Sequence, residues 1–124
     1  MAASAILVID DDPGIREVIS ECLRAEGYEV EAVRNGAEGL ARLRARRADV
    51  VILDQIMPIM GGAEFLERLR ADAAIRDVPV VLMSGLTPTA TQGQPRADVV
   101  LPKPFEIDEL VAALARLGAP RGGA

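Results

Sequence analysis

The 124-residue chain has one cysteine, one lysine, one tyrosine, two phenylalanines and no tryptophan. Each shortage excludes something. A single thiol, Cys22, cannot form an internal disulfide, and at helical spacing with Ile15, Val18 and Ile19 it reads as a small core residue rather than a reactive group. With so few rings and 50% of the residues hydrophobic, mostly Ala, Val, Leu and Ile, the core must be aliphatic. The longest apolar run, AILVI at residues 5–9, is far too short to span a bilayer, and the opening MAASA lacks the charged and apolar regions of a secretory signal. No membrane association is expected, and the cytoplasm is the expected location. Basic charge is also short: 14 Lys and Arg face 19 Asp and Glu, a net charge of −5. That balance opposes unaided binding to nucleic acid, whose affinity comes chiefly from neutralised phosphates. The one basic cluster, Arg42, Arg44, Arg46 and Arg47, lies in an Ala- and Leu-rich helical stretch and reads as a solvated face.

The length suits one domain with a real core, here residues 1–118, with 119–124 (APRGGA in 119–124) as a tail or the start of a linker. Short apolar runs alternate with segments of helical period. AILVID (5–10) reads as a fully buried strand, Asp12-Pro13 supplies an N-cap and a first-turn proline, and a helix follows to about Glu26. Its inward residues are Ile15, Val18, Ile19, Cys22 and Leu23, and Gly27 ends it before the alternating strand YEVEAV. Gly36 to Arg46 is a short helix with Leu40 and Leu43 inward, DVVILD (49–54) a second apolar strand, and Ala63 to Ala71 a helix carrying Phe65, Leu66 and Leu69. VPVVLMS (78–84) and ADVVLP (97–102) are the last strands, and EIDELVAALARLG closes the domain as a helix. Between those strands LTPTATQGQPR (86–96) holds two prolines, a glycine and three threonines, which leaves no regular helical face. Repeated β-then-α units mean parallel strands with right-handed crossovers covering both sheet faces, a doubly wound α/β fold. In such folds the binding crevice lies beyond the carboxyl ends of the strands.

At those ends the polar residues are selective. Strand one ends in Asp10, Asp11 and Asp12, strand three in Asp54, strand four in Ser84, and strand five near Lys103, the only lysine in the chain. Taken singly, each has an ordinary explanation: Asp12 is best read as the helix N-cap, Asp54 as a turn residue, and Lys103-Pro104 as a strand terminator. Taken jointly, converging carboxylates repel one another unless a cation sits among them, and hard oxygen ligands of this kind suit Mg²⁺. A hydroxyl that can donate to a phosphoryl oxygen and an ammonium that can neutralise it complete a phosphoryl-transfer site.

IDDD (9–12), LDQIMPIMGG (53–62), VLMSG (81–85) and LPKPF (101–105), in that order and in the matching βα units, resemble the receiver domain of bacterial two-component response regulators. The resemblance covers essentially the whole chain. It implies a flavodoxin-like five-stranded sheet in the order 2-1-3-4-5, with a fourth helix that is irregular or shortened here. It also implies that Asp54 takes a phosphoryl group from the phosphohistidine of a histidine kinase or phosphotransfer protein. Mg²⁺ would be held by Asp11 and Asp54, by Asp10 through water, and by the backbone carbonyl of Ile56. Ser84 and Lys103 would bind the phosphoryl group, the lysine ahead of a cis Pro104. A lone ammonium on a flexible stem can follow a phosphoryl oxygen, where arginine's planar fork would be hard to seat.

Several residues depart from the family pattern. Val100 stands where an aromatic switch residue is common, and Gly61 replaces a frequent acidic residue, which loosens the cap of the third helix. Ile56 and Leu86 are apolar where water reaches the acyl phosphate, so slow self-dephosphorylation is expected. The output partner, or a fused output domain, is not specified. A phosphate-independent interaction module is the alternative reading. A small haloacid-dehalogenase-type phosphatase would share the Asp10-x-Asp12 spacing, but the threonine that follows D-x-D in such hydrolases is absent here and no cap domain is expected.

Overall fold

The computed structural model of the chain describes residues 4–55, 57, 59–85 and 97–119. The elements run β1 (Ala5–Ile9), α1 (Pro13–Ala25), β2 (Glu29–Val33), α2 (Gly36–Ala45), β3 (Val50–Asp54), α3 (Gly62–Ala71), β4 (Val80–Ser84), β5 (Val99–Pro102) and α4 (Ile107–Arg116). Every strand pair is parallel, in the order β2-β1-β3-β4-β5. This is the doubly wound, flavodoxin-like sheet expected from the sequence. The segment 86–96, where an irregular fourth helix is expected, lies outside the described residues.

Successive side chains of a strand point to opposite faces, so each central strand feeds two cores. Leu7, Ile9, Val51, Leu53, Val80 and Leu82 pack on one face beneath Leu40 and Leu43 of α2 and Phe65, Leu66 and Leu69 of α3. Ile6, Val8, Val50, Ile52, Val81 and Met83 pack on the other beneath Ile19 and Leu23 of α1 and Leu110, Val111 and Leu114 of α4. Burial on both faces explains strands without polar alternation, and each such side chain contributes about 1.5–3 kcal/mol by leaving water. β2 is an edge strand, and its glutamates stay partly in water, Glu29 exposed and Glu31 half-buried.

Local chemistry sets the element ends. Asp12 caps α1, its Oδ1 accepting from the N–H groups of Gly14 (2.9 Å) and Ile15 (3.2 Å). Gly27 leaves that helix at φ 93°, a backbone conformation that strains any side chain. Asn35 caps α2 through the Glu38 N–H at 2.9 Å, and at α4 the Glu106 N–H donates to Glu109 Oε1 at 3.0 Å. Gly61 caps α3 with no side-chain hydrogen bond, as its residue type dictates. Arg42 and Arg46 pair with Glu31, and Arg44 with Asp72, the arginines exposed and the two carboxylates half-buried. The arginine cluster is thus the solvated face expected of it, and such pairs stabilise little.

One expectation is corrected. Ile15 and Val18, spaced to face inward, are 40% and 60% exposed. On α1 only Ile19, Ser20 and Leu23 are buried, because the sheet covers a narrower stripe than the apolar spacing marks out. Ile15 and Val18 instead line an open apolar groove of about 470 Å³ with Cys22, Phe105 and Ile107. At the C-terminal side, Ala119 is buried and its carbonyl accepts from the Tyr28 hydroxyl at 2.7 Å, so packing reaches one residue past the boundary expected at 118. Among the described residues no helix is long and apolar enough to cross a membrane.

Candidate functional site

The parallel sheet delivers all strand carboxyl ends to one edge. β1 and β3 are neighbours in the register Ile9↔Leu53, so Asp10, one residue past β1, comes beside Asp54, the last residue of β3. Asp10 and Asp54 are buried and Asp11 is exposed, and one carboxylate oxygen from each of the three lies within 4.8 Å of the others. Asp12 is outside this cluster and serves α1 as its cap.

Asp10 carries the electrostatic cost of this convergence. Its Oδ1 accepts the Asp12 N–H at 2.9 Å, while its Oδ2 is buried without a hydrogen-bond partner. Burial pushes the Asp10 carboxyl above the usual carboxylate range; the charges of Asp54 and Asp11 push it further, against the Asp12 N–H and the Lys103 ammonium. A partnerless buried carboxylate oxygen is costly. Oxygen donors of this kind, carrying more negative charge than one ammonium balances, fit Mg²⁺, which binds through one or two carboxylates and keeps several waters.

Lys103 approaches from the other side, its Nζ donating to Asp54 Oδ1 at 2.9 Å. The lysine is aimed by its backbone: its N–H donates to the Ser84 carbonyl at 2.8 Å, beside the β4–β5 register Ser84↔Pro102. The Lys103–Pro104 peptide bond is cis. Ser84, 1% exposed, ends β4 next to β3, where Asp54 registers with Met83. The structure therefore brings Asp10, Asp11, Asp54 and Lys103 together, with Ser84 at the adjoining strand end. Ile56, whose carbonyl was expected in the site, and Leu86, expected at its mouth, lie outside the described residues.

Two contributors carried little sequence signal. A Cβ on Gly62 would stand 3.0 Å from the Asp54 carbonyl oxygen and 3.0 Å from Gln55 Cα, so glycine lets α3 start directly against the strand that bears Asp54. Arg16, on α1, turns back so that its Nη1 donates to the Asp10 carbonyl at 2.7 Å. Its only mark in the sequence is a basic residue shortly after an acidic strand end.

A parallel sheet of this order, with acidic residues and an ammonium gathered at one edge, defines a class, and the comparisons agree on which. The chain belongs to the response regulator receiver domain family, which it matches over residues 6–115. The DNA-binding response regulator MtrA of Mycolicibacterium smegmatis is 38% identical over 116 residues, 90% of this chain and 50% of that protein. The chain spans about half the length of the curated relatives it matches. The signal receiver domain of a signal transduction histidine kinase from Syntrophus aciditrophicus superposes with a TM-score of 0.88 at 31% identity, over 98% of this chain and 96% of that one. The response regulator TrrA of Thermotoga maritima, solved in complex with Mg²⁺ and BeF, superposes with a TM-score of 0.83 at 34% identity, over 92% and 98%. This is a signalling domain of two-component systems, of a class that binds Mg²⁺ at an acidic site. Its departure at Val100 is an exposed aliphatic on β5, 48% accessible.

Proposed function

We propose that the domain receives a phosphoryl group on Asp54. The observation that carries this reading is the Asp54 carboxylate itself, buried at a strand end, with its Oδ1 2.9 Å from Lys103 Nζ and a carboxylate oxygen within 4.8 Å of those of Asp10 and Asp11. In the transfer, a carboxylate oxygen of Asp54 forms a bond to phosphorus as the bond from phosphorus to a donor nitrogen breaks, leaving an acyl phosphate and a free imidazole that takes up a proton. The chain has no histidine, so that imidazole belongs to a histidine kinase or a phosphotransfer protein. Mg²⁺ would be held by Asp11 and Asp54 directly and by Asp10 through water, and would supply charge neutralisation for the phosphoryl oxygens. Lys103 moves from the Asp54 carboxylate to a phosphoryl oxygen, which keeps its charge partnered throughout. The Ser84 hydroxyl donates a hydrogen bond to another.

In this reading the domain is no enzyme for outside substrates; its only chemistry is its own phosphorylation and dephosphorylation. It occupies residues 1–118 together with the packed Ala119, the remainder being a tail or the start of a linker, and works in the cytoplasm, as its disulfide-free, acidic composition suits. Phosphorylation changes a surface read by an output partner or a fused output domain, and the receiver itself makes no direct contact with nucleic acid. A phosphate-independent docking module is the second reading, and Val100 is the observation in its favour. Incubation with acetyl phosphate, in Mg²⁺ and in EDTA, followed by intact mass separates the two. A phosphoryl adduct that requires Mg²⁺ supports the phosphoacceptor, and no adduct under either condition supports the docking module.

A further inference from the structure

We infer that Arg16 is a positioning residue for the cation site: by holding the Asp10 carbonyl it fixes the turn from which the Asp10 and Asp11 carboxylates reach Mg²⁺. The inference rests on the Mg²⁺ reading above and adds to it a residue that is not itself a ligand.

Four hydrogen bonds pin this turn. The Asp10 N–H donates to the Val33 carbonyl at 3.2 Å and the Arg16 N–H to the Asp12 carbonyl at 2.9 Å. The Asp12 N–H donates to Asp10 Oδ1 at 2.9 Å. The guanidinium bond to the Asp10 carbonyl, at 2.7 Å and partly buried, is the shortest of the four, and it is the one whose donor carries a charge. The oxygen it holds belongs to the peptide plane joining Asp10 to Asp11, so fixing it sets the direction in which Asp11 leaves the strand. That matters most for Asp11. Its side chain is exposed, without the packing that restrains Asp10, and its carboxylate stays within 4.8 Å of Asp10 and Asp54 only while its backbone is held. Groups that hold metal ligands, without touching the metal, commonly affect affinity by about tenfold or more.

Charge and position have opposite signs here, which makes the inference sharp. Arg16 is a cation on the rim of a cation site, so its charge alone weakens Mg²⁺ binding, and deleting that charge tightens it. If the guanidinium acts by positioning, deletion loosens binding instead.

Mg²⁺ titration by calorimetry on the wild type, Arg16→Met and Arg16→Lys tests this, with thermal melting in EDTA alongside. Methionine keeps the stem without the donor; lysine keeps the charge and a single flexible donor. The expected result is a Kd for Mg²⁺ raised about tenfold in Arg16→Met and by less in Arg16→Lys. A merely structural role would lower both melting temperatures and leave Kd unchanged. An unchanged or tighter Kd in Arg16→Met overturns the inference. Should that variant not fold, Arg16→Lys decides by the same criterion. A wild type that binds no Mg²⁺, or an Asp11→Ala variant that binds it as well as the wild type, counts against the Mg²⁺ reading itself.

Discussion

The Asp10→Asn substitution keeps the shape of a buried side chain and removes one of three negative charges that share a 4.8 Å neighbourhood. At an effective dielectric constant near 20, two carboxylate charges at 4.8 Å repel by roughly 3.5 kcal/mol. Water screens the share owed to the exposed Asp11, and attraction to Lys103 cancels part of the Asp54 share. The balance is a gain of about 1–3 kcal/mol for the variant without Mg²⁺, or about 3–10 °C in Tm for a domain of this size. The amide suits the site: its oxygen can still accept the Asp12 N–H, and its NH₂ puts a donor where Asp10 has a partnerless Oδ2. The pH dependence has a definite sign. Asp10 has a raised folded pKa, so the penalty of its charge is absent below the ordinary carboxylate value and grows as pH rises through the folded value. The gap between variant and wild type is therefore widest near neutral pH and closes below about pH 4. Mg²⁺ acts in the other direction, because the wild type gains stability by binding it and the variant gains less. Circular dichroism melts in EDTA and in Mg²⁺, from acid to neutral pH, read all of this in a chain without tryptophan. A variant no more stable than the wild type in EDTA at neutral pH, or a gap that does not change with pH, refutes the reasoning.

Other substitutions test the supports around the site. Gly62→Ala gains helix propensity but drives a Cβ to 3.0 Å from backbone atoms of Asp54 and Gln55, which cannot swing aside; a net loss of about 1–3 kcal/mol in urea unfolding is expected, and a gain would contradict the close approach. Ser20 is 3% exposed and its Oγ has no hydrogen-bond partner, so Ser20→Ala should raise stability by about 1 kcal/mol; a loss would mean that the hydroxyl is satisfied. Lys103→Arg keeps the charge and loses the compact donor, so phosphoryl adduct should accumulate about tenfold more slowly or worse. Wild-type accumulation in that variant would remove the case for a lysine.

Much of the site was legible because a parallel sheet turns chain position into spatial position. Asp10, Asp54, Ser84 and Lys103 all lie at or just past strand ends, so recognising the strands was enough to bring them to one edge. Recognising an apolar stripe did not say how wide a strip its neighbours cover, which is why Ile15 and Val18 were expected inside and stand exposed. The caps at Asn35 and at Glu106 with Glu109 follow known local rules but stood in stretches read for their apolar period. Gly62 and Arg16 were illegible for another reason. Close approach of α3 to β3, and a long side chain that reaches back six residues to a carbonyl, are tertiary facts that leave no period in the sequence.

The central claim is that Asp54 accepts the phosphoryl group, and the most direct measurement compares the wild type with Asp54→Asn. After incubation with acetyl phosphate and Mg²⁺, intact mass and peptide mapping should show one phosphoryl group on the wild type, at Asp54, and none on the variant. An adduct of equal yield on Asp54→Asn, or one mapped to another residue of the wild type, would contradict the account.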